Sequence, residues 1–158
     1  MSFVRFLILL SLAAWVGALI FFPAVAHTAF SVLPDQHLAG LMVGRSLRIL
    51  HVMGIISAVV FLGSSTFARR SFSRYFSARQ GLVFAMLLLT LLSQFVIIPR
   101  MDRLRSSFTP DVHSAPAESF VENGARHRFD VLHTWSVRVE GAVLILGLAA
   151  VYLTAAAV

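Results

Sequence analysis

The sequence predicts an all-α integral membrane protein, a four-helix bundle built from two repeated helix pairs. Three observations carry that expectation. Apolar residues make up 58% of the 158 residues and charged residues only 13%, against ~25% charged in a soluble domain. Mean hydropathy is +0.85, which places the chain in the membrane class before any motif is sought. Four segments meet or approach the ~20 apolar residues that a helix needs to cross a hydrocarbon core of ~30 Å. They lie at about 6–26, 49–67, 81–98 and 131–158, within one domain covering 1–158.

The first span, Phe6 to Ala26, follows the basic residue Arg5 and contains Pro23 after Phe21-Phe22. Arg5, an apolar stretch and then Ala24-Val25-Ala26 also read as a cleavable secretory signal, but the apolar stretch exceeds the usual ~7–15 residues. A retained helix is favoured. The second span begins near Ile49, and its helix starts earlier, with Pro34 suited to a first turn and Asp35 to the positive end of the helix dipole. Within that extension Gly40 and Gly44 form a small-xxx-small pattern that allows close packing, more plausibly within the chain than between copies. The third span, Gly81 to Ile98, is interrupted only by Thr90, Ser93 and Gln94, and ends at Pro99. The fourth runs from about Val131 to Val158 and carries Arg138 and Glu140 in its first half. Its helix is expected to begin near Ser114 and Pro116, with Asn123-Gly124 as a point of interruption.

Composition also excludes chemistry. All 13 bases are arginine, so lysine Schiff bases and the phosphate-loop lysine are absent. There is no cysteine, hence no disulfide, thiolate metal site, Fe–S cluster or covalently attached haem. No Gly-rich phosphate loop, G-x-S-x-G or H-E-x-x-H pattern occurs, and nothing supports a water-soluble enzyme class. The formal charge of +6 comes from bases that cap membrane helices. The lipid bilayer and its anionic headgroups are therefore the expected partners, not nucleic acid.

Four crossings bring the end of span one, the start of two, the end of three and the start of four to one membrane face. The two halves also resemble each other. Phe21-Phe22-Pro23 is matched by Ile97-Ile98-Pro99, and Arg48-x-x-His51 by Asp130-x-x-His133, with leucine before each histidine. His27, His51 and His133 are thus expected at a common rim with Arg48, Arg100 and Asp130. His127 stands above His133 on the same helix. Glu140 lies seven residues after His133, on the same helix face and ~10 Å deeper. Such a carboxyl should face the bundle interior, with Gln94 as a candidate partner from span three. Arg138 points elsewhere, towards the interface.

Three functional readings follow. One is a small carrier, with Glu140, Gln94 and the histidines lining a polar path and a homo-oligomer completing the small frame. Another is an accessory membrane protein whose histidines and arginines only anchor helix ends. The alternative is a haem- or copper-binding membrane protein. His51 and His133 would be the axial pair of a b-type haem, or with His27 a three-histidine copper site, with Arg48 and Arg100 on propionates.

The run Ala14-Trp15-Val16-Gly17 with Phe21-Phe22-Pro23, then Gly40, Gly44 and Arg48-x-x-His51, resembles the bacterial membrane proteins grouped with human transmembrane protein 205. So does Pro99-Arg100-Met-Asp-x-Leu104-Arg105, followed by Phe129-x-x-Leu132-His133-x-x-Ser136. The resemblance implies a four-helix integral membrane domain with a retained first helix, and no particular biochemical activity. Glu140 departs from it, since an apolar or amide residue is expected there. In helix count and histidine placement the chain is more distantly similar to copper resistance protein D-like membrane proteins. A bacterial inner-membrane location is expected. Arg5 and the bases Arg69, Arg70, Arg74 and Arg79 between spans two and three favour cytoplasmic termini, although the opposite side holds more arginines in total.

Overall fold

The structure is a computed structural model that describes residues 2–68, 77–106 and 119–156. Its helices are α1 (Ser2–Val32), α2 (Gln36–Ala68), α3 (Ala78–Leu92), a single π-helical turn (Ser93–Ile97), α4 (Ile98–Ser106) and α5 (Ser119–Ala155). The α3–π–α4 run is one continuous rod, so the described residues form four rods long and apolar enough to cross a membrane. The described residues contain no strand. Each rod packs on two others in a ring: α1 on α2, α2 on α3, α3 on α5 and α5 back on α1. The most extensive contacts join α1 to α2 and α3 to α5, the two sequential pairs.

Local chemistry explains the helix ends. Pro34 lies just outside α2, and Asp35 is its cap: Oδ1 accepts the His37 N–H at 2.8 Å and its carbonyl takes the Ala39 N–H at 3.0 Å. At the start of α3, Gln80 Oε1 accepts from both the backbone N–H and the hydroxyl of Ser77, each at 3.2 Å. α5 runs unbroken through Asn123-Gly124, so the expected interruption does not occur. Ser114, Pro116 and the arginines 69, 70 and 74 fall outside the described residues.

The two proline motifs that look alike in sequence act differently. α1 continues as an α-helix through Pro23. Ahead of Pro99 the helix widens, and the Ile98 N–H reaches back five residues to the Ser93 carbonyl. Pro99 has no N–H to continue the ordinary ladder, and a π turn is one way for a helix to absorb that.

The core holds Leu12, Trp15 and Leu19 of α1, Leu50, Ala58 and Phe61 of α2, Val83 and Met86 of α3, and Val143 and Ala150 of α5. Two glycines permit the close approaches. A Cβ on Gly54 would overlap the Trp15 indole, and one on Gly147 would stand 2.8 Å from Val16 and 3.1 Å from Met86. Gly40 and Gly44 serve a different neighbour from the facing helix expected of their spacing. Above them lies the Arg105 guanidinium, which donates to the Gly40 carbonyl at 3.3 Å. Many large apolar side chains, among them Phe21, Ile49, Phe95 and Ile145, point outward, as a lipid-facing surface requires.

The rods exceed the bilayer. α1, α2 and α5 have 31, 33 and 37 residues, so each is about 46–56 Å long. The excess over the expected spans falls largely at one end, at residues 27–32, 36–48, 99–106 and 119–130.

Candidate functional site

Three rods converge on one buried imidazole. His51 of α2 has no exposed surface. Its Nδ1 lies 2.9 Å from Gln94 Oε1 in the π turn, and its Nε2 lies 2.6 Å from Glu140 Oε1 of α5. The Ser93 hydroxyl, also in the π turn and fully buried, donates to the same Glu140 oxygen at 3.1 Å. The Glu140 side chain is 16% exposed, and its other oxygen, Oε2, is buried without a hydrogen-bond partner. Two more buried polar atoms lack a partner, Thr90 Oγ1 and Trp15 Nε1. By helix spacing both belong to the layer one turn deeper. Thr90 precedes Ser93 by three residues, and Trp15 lies on Gly54, three residues after His51.

The arrangement supports more than one protonation pattern. With an imidazolium and a carboxylate, His51 donates from Nδ1 to Gln94 and from Nε2 to Glu140, and the charges cancel. With the proton on Glu140, the acid donates to a neutral imidazole. The Gln94 amide can present either its oxygen or its NH2 group to Nδ1, so it can follow the tautomer.

The remaining expected site residues lie apart from this network. His133 is exposed and its ring stacks on Phe129, with centroids 6.3 Å apart. His27 is exposed on α1 and Asp130 on α5, where the Asp130 carbonyl accepts the Thr134 hydroxyl at 2.9 Å. Arg48 pairs with Asp102 across the α2–α4 contact, both side chains nearly half exposed at 49% and 45%. Arg100 is exposed and lines a cleft between α4 and α5 together with His127. Arg138 lies over the Trp135 ring at 5.5 Å.

The geometry gives no footing to the haem or copper arrangement. Both ring nitrogens of His51 are engaged by protein oxygens, so neither offers a lone pair to a metal. Among the described residues no three His, Asp or Glu side chains are grouped as metal ligands. Ser93 and Asp102 are the partners that sequence reasoning missed. A signal for Ser93 was present: a hydroxyl six residues before a proline, inside an otherwise apolar span.

Comparison with known proteins gives the chain a family. Residues 10–107 match the model of a domain of unknown function, DUF4149, and the chain belongs to that family. The matched stretch carries His51, Ser93 and Gln94, whereas Glu140 lies beyond it on α5. No curated protein and no solved structure matches the chain.

Proposed function

We propose that this DUF4149 family member is a small proton-linked membrane carrier in which His51 and Glu140 hold the moving proton. The supporting observation is the buried pair itself. Ionisable groups inside a membrane bundle are costly and commonly mark proton relays or substrate paths. This pair keeps its hydrogen bonds in more than one protonation pattern, through Gln94 on one side and Ser93 on the other. Four rods make a small frame, so the working unit in this reading is a homo-oligomer. Its place is a bacterial inner membrane with both termini in the cytoplasm, as the arginines beside the first span favour. Cysteine-accessibility labelling at Ser73 and Ser114, on opposite sides of the bilayer, tests that orientation. The likeness to the proteins grouped with human transmembrane protein 205 fits the same four-span design.

The test is proton flux into liposomes carrying an internal pH dye, driven by an imposed potassium diffusion potential. Wild-type protein should acidify or alkalinise the lumen faster than protein-free vesicles. Glu140→Gln, which keeps the shape and hydrogen-bonding reach of the side chain, should return flux to the empty-vesicle rate while the protein still elutes as a folded species. Equal flux from wild type and E140Q contradicts the proposal.

A second reading has one observation in its favour. The network ties α2, the π turn and α5 together, as a purely structural clamp in an accessory protein would. Wild-type vesicles without flux, combined with loss of the folded species in E140Q, would favour the clamp.

A further inference from the structure

Away from the His51 network, α4 and the first part of α5 enclose an open cleft of about 550 Å³. Arg100 and Arg103 line it from α4, and His127 and Arg128 from α5. Val131 and Leu132 supply an apolar side. No carboxylate is among the described residues that line it. Among the described residues neither Arg100 nor Arg128 forms an ion pair. The Arg100 and Arg128 guanidinium groups around one cavity repel each other, and a bound anion reverses the sign of that interaction. Guanidinium groups are suited to phosphate oxygens, which they meet with two parallel hydrogen bonds.

The position of the cleft selects among anions. By hydropathy of the sequence the apolar stretch of the third rod ends near Ile98 and that of the fourth begins near Val131, which sets Arg100 and Val131 at the expected membrane boundary. The basic residues lie on the outer side of that level, and Val131 and Leu132 begin the apolar segment. A ligand filling this cleft would carry a phosphate at headgroup depth and hydrocarbon just below it. We infer that the α4–α5 cleft binds the phosphate group of an anionic phospholipid, with the start of an acyl chain against Val131 and Leu132. This site is independent of the proton reading and uses none of its residues.

The experiment is native mass spectrometry of the detergent-purified full chain, titrated with phosphatidylglycerol, phosphatidylcholine or inorganic phosphate. Wild-type protein should bind phosphatidylglycerol in preference to phosphatidylcholine, and millimolar inorganic phosphate should not displace it. Removing two arginines at the membrane surface, as Arg100→Gln with Arg128→Gln, should weaken phosphatidylglycerol binding roughly thirtyfold. Arg45→Gln removes a base from an exposed position outside the cleft and should leave binding unchanged. If the double variant loses its helical signal, each single variant is read instead, with an expected loss of about fivefold. Unchanged binding in the arginine-to-glutamine cleft variants overturns the site. So does an equal loss in R45Q, which would mean diffuse charge attraction, or no preference over phosphatidylcholine. Displacement by inorganic phosphate overturns the lipid assignment in favour of a free-anion site.

Discussion

His51 and His133 occupy matching places in two similar stretches of sequence, each preceded by leucine and by a charged residue three positions back. One is sealed in the bundle with both ring nitrogens engaged, and the other is exposed and stacked on a phenylalanine. The difference lies in what surrounds each helix at that height. α2 at His51 has the π turn and α5 against it. α5 between His127 and Leu132 borders an open cleft, and His133 is the next residue. A sequence repeat can set the depth of a side chain without setting its neighbours.

Alanine at the two histidines should separate them most widely. His51→Ala leaves the largely buried Glu140 without its main partner, a defect that costs up to about 3–5 kcal/mol where a fully buried pair is broken. His133→Ala, at an exposed position, should stay within about 0.5 kcal/mol of wild type. Reversible unfolding in mixed micelles reads both, and equal effects would dissolve the contrast between the two halves.

Gly54 lies against the Trp15 indole, where any side chain overlaps. Gly54→Ala should destabilise by about 1–3 kcal/mol through overpacking, whereas Gly141→Ala, with open space around its position, should be nearly neutral in the same unfolding assay. Ser93→Ala removes one of the two hydrogen bonds to Glu140 Oε1 and should cost about 0.6 kcal/mol, the mean for hydrogen bonds between membrane helices. The smallest effect is expected at the rim. Arg48→Gln breaks a pair whose members are about half exposed, and should change stability by less than about 0.5 kcal/mol, less still in high salt.

The spans, the early start of α2 and the inward-facing Glu140 were legible in the sequence, because length, hydropathy and the cost of a buried carboxyl act along one helix at a time. Gln94 was expected to partner Glu140, but it meets His51, and Ser93 takes the carboxylate. That exchange depends on the π turn, which alters the helical register just before Pro99 and is invisible to an ideal 3.6-residue period. The Arg48–Asp102 pair and the Trp15–Gly54 contact depend on how two rods are rotated against each other. No single stretch of sequence encodes that rotation. His51 turns inward while His27 and His133 are exposed for the same reason: topology brings helix ends to one face, but packing decides which side chains turn inward.

In the reading proposed above, His51 and Glu140 share a proton inside the bundle, and nitrogen NMR of the imidazoles in lipid bilayers reads that proton. For wild-type protein, His51 should show two hydrogen-bonded ring nitrogens distinct from those of His133, and the Nε2 resonance should move strongly in Glu140→Gln. A His51 signal that matches the exposed histidines and ignores the E140Q substitution would contradict the account.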